Sequence, residues 1–277
     1  MAQDFAAANA RFSVGRVISD SVSVLIRNIV PFGLIALLVG IPMIVLIAMG
    51  ATVNVGAMNF EVQAEAGSGL STGTAIGVMV FGILFLLTYF ITQAAINYGS
   101  FQDLRGQRAS IGECIGRGFA SLPGVIGAII VLIVAVVAIF AVIFLVGAAV
   151  PSLAFLIAIP VVIGYFVAFV MIWVFVPAIV VERVGPIACF GRSRELTNGH
   201  RWGILGLVLV VAIAQWVIGY IVGTVGLVLG PTIASILHTL ITLLFTAFSG
   251  VMTAVGYYYL RAEKEGFGVD DLAKVFD

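Results

Sequence analysis

Residues Pro123–Val181 read PGVIGAIIVLIVAVVAIFAVIFLVGAAVPSLAFLIAIPVVIGYFVAFVMIWVFVPAIVV, without one charged side chain. As a single helix rising ~1.5 Å per residue, this stretch would be about three bilayers long, since the hydrocarbon core is only ~30 Å thick. It must fold back on itself, and Gly147-Ala-Ala-Val-Pro151-Ser152 is the obvious turn. Two apolar helices follow, Pro123 to Val150 and Ser152 to Val181.

The same reading extends outward. Val30 to Met49, Thr74 to Gly99, Gly203 to Leu229 and Thr232 to Leu260 are each apolar over the ~20 residues a span requires. Gly230-Pro231 turns the last pair as Pro151 turns the middle one. Composition agrees: 62% of residues are hydrophobic and 9% charged, against about a quarter charged in soluble domains. The sequence therefore predicts an all-α polytopic membrane protein. It forms one integral domain, with an amphipathic segment over 1–29, six transmembrane helices over 30–260 and a tail over 261–277.

Orientation follows from the basic residues. Arg11, Arg16 and Arg27 precede the first span, and Arg105, Arg108 and Arg117 separate the second from the third. Arg183, Arg192, Arg194 and Arg201 separate the fourth from the fifth, and Arg261, Lys264 and Lys274 follow the sixth. Every Lys and Arg thus falls on one side of a six-span chain. The other side carries only Glu61 and Glu65, in a Gly/Ser-rich loop from Thr52 to Gly73. The positive-inside rule predicts that the basic side and both termini are cytoplasmic. Asp4, Arg11, Arg16, Asp20 and Arg27 leave no early apolar region for a cleaved signal peptide, so the first span is expected to be retained. Cys114 and Cys189 fall on the cytoplasmic side and are expected to be reduced thiols. Zero formal net charge gives no sign of a nucleic-acid partner.

Each pair of spans is preceded by a segment suited to the membrane surface. Val14, Ile18, Val22, Leu25 and Ile29 make one apolar face, with Arg16, Asp20, Ser23 and Arg27 opposite. Ile111, Ile115, Phe119 and Leu122 repeat the face before span three, where Glu113 and Arg117 form an (i, i+4) pair. The third segment begins at Gly185-Pro186, and Cys189-Phe-Gly-Arg192 echoes Cys114-Ile-Gly-Arg117. Three hairpins, each preceded by an interfacial helix, are expected, arranged about a pseudo-threefold axis; the competing reading is the amphipathicity of any segment at an interface. In the third segment Arg194 projects with Ile187 and Phe190, implying either a snorkelling side chain or a buried partner.

No Asp, Glu, Lys or Arg lies within a span, which argues against a proton- or ion-coupled pump. Neutral polar residues are organised: Ser235, Thr239, Thr242, Thr246, Ser249 and Thr253 form one stripe on span six. Gln93 and Asn97 share a face of span two, and Gln215 sits within span five. This intramembrane polar set reads as a packing seam or as a hydrophilic path, and its amides must face protein rather than lipid. Arg192, Arg194 and Arg201 are candidates for holding anionic headgroups or partner carboxylates. Tyr257-Tyr258-Tyr259 and Trp202 match an interfacial aromatic belt. His200 and His238 have no Cys, Asp or Glu at ligand spacing, so no metal, cofactor or catalytic residue is expected.

Residues 188–202, ACFGRSRELTNGHRW, resemble the Ala-x-x-x-Arg-Ser-x-x-Leu-x-x-Gly-x-x-Trp region of a bacterial membrane-domain family. That family is named for the multi-span region fused to some glycerophosphoryl diester phosphodiesterases. It implies a stand-alone inner-membrane protein without the hydrolase, whose chemistry in the fused proteins resides in a separate soluble domain. The expectation is a non-catalytic structural, regulatory or accessory module acting with a protein partner or as a homo-oligomer. The alternative is a transporter, channel or flippase for a lipid or small amphipathic molecule.

Overall fold

A helix closes its own backbone hydrogen bonds, so apolar segments of this length become helices wherever water is scarce. The computed structural model describes residues 12–42, 53–54, 61–62, 72–108, 110–149 and 151–266. Among them the chain is helical except for one two-residue antiparallel pair, β1 (Val53–Asn54) and β2 (Glu61–Val62), with Val53 opposite Val62. The helices are α1 (Val14–Arg27), α2 (Ile29–Ala36, continued by a 3₁₀ turn Leu37–Gly40), α3 (Thr72–Leu104), α4 (Ile111–Ala120), α5 (Leu122–Ala149), α6 (Pro151–Met171), α7 (Phe175–Glu182), α8 (Ala188–Thr197), α9 (Arg201–Leu229) and α10 (Pro231–Glu265).

Five stretches, on α3, α5, α6–α7, α9 and α10, are long and apolar enough to cross a membrane. A sixth is counted if α1 and α2, bent by 88°, are taken as one. The outer part of the expected first span, most of the Thr52–Gly73 loop and the tail beyond residue 266 lie outside the described residues.

Packing runs cyclically. The second helix of each expected hairpin, α3, α7 and α10, lies at the centre, with α3 touching both others and α7 touching α10. Each first helix packs against its own second helix or that helix's neighbour in the ring: α5 on α3, α9 on α6, α2 on α10. The short helices follow the same rule, α4 on α3, α8 on α7 and α6, α1 on α10. Each of the shorter helices α1, α4 and α8 thus packs on a central helix that precedes it in the ring.

The core is concentrated toward one end. Buried side chains cluster at Ile91, Ala94, Ala95, Ile96 and Phe101 on α3, at Val174 just before α7 and Ala178 and Val181 on it, and from Ala247 to Leu260 on α10. The Arg-bearing segments meet at this end, hereafter the basic end. Midway along the spans, residues 133–142 of α5, 163–169 of α6 and 212–217 of α9 are exposed without interruption. Six or more consecutive residues exceed one 3.6-residue turn, so no described element covers those helices on any side.

Several sequence expectations need correction. The fourth span is two helices, broken at 172–174. Pro177 explains the break: it has no N–H to offer the carbonyl of Trp173, four residues earlier, and its ring collides with that carbonyl. On α1 the fully buried positions are Val17, Ser21 and Val24; of the expected apolar face Leu25 is buried as well, but Val22 is 40% exposed and Ile29, at the start of α2, 50%. Ser21 is tolerated there because its hydroxyl donates to the Val17 carbonyl at 2.5 Å. On α8 the inward residues are Cys189, Ser193, Leu196 and Thr197; Ile187, at 72% exposure, shares the outer side with Arg194, as the projection grouped them, and Arg194 is exposed there. Glu113 does not pair with Arg117. It closes a capping box with Ser110 at the start of α4, and Arg117 turns to Tyr98. Tyr257, Tyr258 and Tyr259 are buried rather than forming a belt, whereas Trp202 is 85% exposed.

Two glycines on α4 test this packing with opposite signs. A Cβ on Gly118 would stand 2.8 Å from the Ile91 carbonyl oxygen, a backbone atom, while one on Gly116 would meet nothing within 4 Å. Gly118→Ala is expected to cost about 1–3 kcal/mol through overpacking. Gly116→Ala is expected to stabilise by up to about 1 kcal/mol through helix propensity. Thermal unfolding of the two variants in the same detergent checks both.

Candidate functional site

Charged and phenolic side chains have few partners in an apolar chain, so they gather where they satisfy one another. At the basic end three contacts, or joints, each tie a short helix to its neighbour in the ring, beside an ion pair in which Arg27 Nη2 of α1 meets Asp103 of α3 at 2.5 Å. Asp20 of α1 accepts from the Tyr259 hydroxyl of α10. The Arg117 guanidinium of α4 lies 5.4 Å from the ring centroid of Tyr98 on α3, a cation–π distance. Arg192 Nε of α8 donates to both carboxylate oxygens of Glu182, at the end of α7, at 2.9 and 2.8 Å. Two joints connect helices adjacent in sequence. The α1–α10 joint brings the two ends of the described chain together, reinforced by the Phe12 N–H donating to Glu263 at 2.7 Å.

The third joint grows into a clasp. Arg192 Nη2 also donates to Glu265 on α10. Arg261 Nε donates to Glu265 at 2.8 Å and stands 3.9 Å from Glu182, which also accepts from the Tyr257 hydroxyl. Two arginines and two glutamates alternate across α7, α8 and α10, and Lys264 donates to the Glu195 carbonyl alongside. Burial alone would lower the Arg192 pKa; hydrogen bonds and charge from Glu265 and Glu182 offset this and raise it above the ordinary arginine value. Burial pushes the Cys114 and Cys189 thiols up to about 11, so both are held protonated.

The Arg-Ser-x-x-Leu segment acquires a physical account here. Arg192 holds the clasp. Ser193 sits at the break opened by Pro177: its hydroxyl donates to the Met171 carbonyl at 2.8 Å and accepts from the Val174 N–H at 3.3 Å. Leu196 is fully buried in the main core. Gly199 turns into α9 at φ +91, a region glycine occupies without a Cβ penalty.

The intramembrane polar set divides. Gln93 Nε2 donates to Ser249 Oγ at 2.9 Å and to the Thr246 carbonyl at 3.3 Å. Asn97 Nδ2 donates to the Gln93 carbonyl at 2.7 Å, and Thr253 reaches Asn97 Oδ1 at 3.5 Å. This seam joins α3 to α10, where Asn97 is buried and a Cβ on Gly250 would stand 2.8 Å from Ile96. Thr242 and Thr246 donate to carbonyls of their own helix, His238 and Thr242, each at 2.8 Å. Thr239 is exposed, and Gln215 is exposed on α9, away from the seam.

Nor do the candidate arginines converge. Arg192 is in the clasp, Arg194 is exposed, and Arg201 opens α9 with its Nε buried and without a hydrogen-bond partner. Glu182, Glu265, Arg261, Tyr257, Tyr259, Asp20 and Ser193 are functional-site residues that the sequence reading did not single out. Arg261 and Glu265 carried a legible signal, their (i, i+4) spacing. Among the described residues no three His, Cys, Asp or Glu side chains are grouped to hold a metal ion. No family model, curated protein or solved structure matches the chain.

Removing one member of a buried ion pair strands its partner. Arg192 is 19% exposed, so Arg192→Ala is expected to cost about 3 kcal/mol, at the lower end of the range for such pairs. Arg194→Ala is expected to change stability by no more than about 0.5 kcal/mol. Unfolding midpoints of both in one lipid background would show the difference, and equal small shifts would contradict the clasp. Ser193→Ala, which leaves a buried N–H and C=O unpaired, is expected to cost about 1–3 kcal/mol in the same assay.

Proposed function

We propose that the chain is a non-catalytic six-span module of the bacterial inner membrane, built as three hairpins around a pseudo-threefold axis, with the basic end and both termini in the cytoplasm. The one-sided distribution of Lys and Arg supports this orientation, and the cyclic packing supports the threefold arrangement. The resemblance of residues 188–202 to the membrane domains found beside glycerophosphoryl diester phosphodiesterases supports an accessory role without the hydrolase.

The observation that carries the reading is the α3–α10 seam. Gln93 and Asn97 face hydroxyls and carbonyls of the neighbouring helix, and Gln93 is only 5% exposed. Polar groups so engaged hold helices together and leave no continuous file of free donors and acceptors for a solute. Exposed Arg183 and Arg194 at the basic end suit contact with anionic headgroups or an acidic partner surface. The ion-pair clasp beneath them keeps that surface in one geometry.

The lipid-handling alternative is favoured by one observation, the uncovered middle of α5, α6 and α9. Cysteine accessibility separates the two. In intact membranes Arg194→Cys is expected to react with a membrane-impermeant maleimide from the cytoplasmic side, while Thr242→Cys and Thr246→Cys stay unlabelled. Labelling at Thr246→Cys would place water in the seam and replace the module reading with a transport path.

A further inference from the structure

The last residues of α10 run against α8. Lys264 donates to the Glu195 carbonyl, and Glu265 accepts from Arg192. Gly266 then stands at φ +66, in the left-handed conformation that ends a helix, so the chain leaves α10 beside these contacts. Residues 267–277 follow, reading FGVDDLAKVFD, and lie outside the described residues. They carry three aspartates against one lysine, among apolar Phe267, Val269, Leu272, Val275 and Phe276.

The outer side of α8 offers the complement. Ile187, Gly191 and Arg194, at steps of four and three, share one stripe, and all three are exposed. Arg183, where the chain leaves α7, is exposed as well. Neither the Arg183 nor the Arg194 guanidinium has an ion pair or hydrogen bond with a described residue. Glu195, the carboxylate next along α8, is turned to Arg192 at 3.3 Å. Reach is sufficient. Asp270 lies five residues past Glu265, or ~17 Å of extended chain, and Glu265 already touches Arg192, two residues from Arg194. An acidic segment tethered beside free guanidinium groups meets them at a high effective concentration.

We infer that residues 267–277 fold back along the outer side of α8, with Asp270 and Asp271 against Arg183 and Arg194 and Leu272 against Ile187. The segment thereby shields the surface that the proposed function, on which this regulatory role rests, offers to anionic headgroups or an acidic partner. Either must displace it to bind. Arg194→Cys removes one of the anchors, so labelling at that position reads orientation alone.

The test uses the full chain in nanodiscs of zwitterionic lipid, where both faces are open to reagent. Gly191→Cys, at a position where a Cβ meets nothing within 4 Å, reports on the outer side of α8, while the native thiols are buried. Its reaction with a water-soluble maleimide is expected to be slow. Asp270→Asn combined with Asp271→Asn is expected to accelerate it about tenfold, as is ~1 M salt, where the Debye length falls to ~3 Å. The unfolding midpoint should stay unchanged, since neither aspartate belongs to a span or to the clasp. Gly191→Cys together with Leu272→Cys is expected to form a disulfide within one chain. Fast labelling whatever stands at 270 and 271 would mean an open face, and slow labelling indifferent to both would mean that lipid covers it. Either result, or a disulfide formed only between copies, would overturn the inference. Labelling at Thr246→Cys would remove the module reading while leaving these rates as they are.

Discussion

Hydrocarbon supplies no hydrogen bonds, and that constraint organises the described structure. Most buried polar groups within it have a partner from the chain itself. Ser21 folds back on its own helix, Gln93 reaches across to α10, and Ser193 inserts at the break in the fourth span. The last case shows the constraint acting twice. Pro177 is affordable in the membrane only because a short helix outside the span delivers a hydroxyl to the freed backbone. The short helix α8 is therefore a component of the broken helix pair α6–α7 that it follows, as well as a connector to α9.

The three joints at the basic end extend the logic to charge. Asp20–Tyr259, Arg117–Tyr98 and Arg192–Glu182 differ in chemistry but occupy equivalent places in the ring. The fold constrains position, and each site then finds its own pairing. Divergence of this kind leaves little sequence signal: Cys114-Ile-Gly-Arg117 and Cys189-Phe-Gly-Arg192 align, yet one arginine faces a ring and the other two carboxylates.

What was legible in the sequence was whatever depends on single segments. The charge-free run from Pro123 to Val181 announced two apolar stretches and a turn; the first helix ends within a residue of the expected position, while the second is broken after Met171 and resumes as α7. Facing was less legible. The period of α1 groups Val22 with Leu25 on one apolar face, but Val17 and Val24 carry the fully buried positions, and it is packing on α10 that selects them. On α8 the projection grouped Arg194 with Ile187, as the structure does, but left the environment of that side open: apolar residues lie on both sides of the helix, and the contact of Ser193 with Met171 sets which one is inward. The clasp depends on residues far apart in sequence, Arg192 and Glu265, whose meeting no local pattern records.

Because the tightest packing lies at the basic end, the molecule has unequal footprints at different membrane depths. Helices that meet firmly at one level and stand clear of one another at another occupy more area where they part. Lateral pressure in a bilayer varies with depth, so squeezing the uncovered level works against the arms while the gripped level resists. The boundary of such a body is therefore uneven: side chains fill the interior at the gripped level, whereas at the uncovered level the helices present their whole circumference to whatever surrounds the protein.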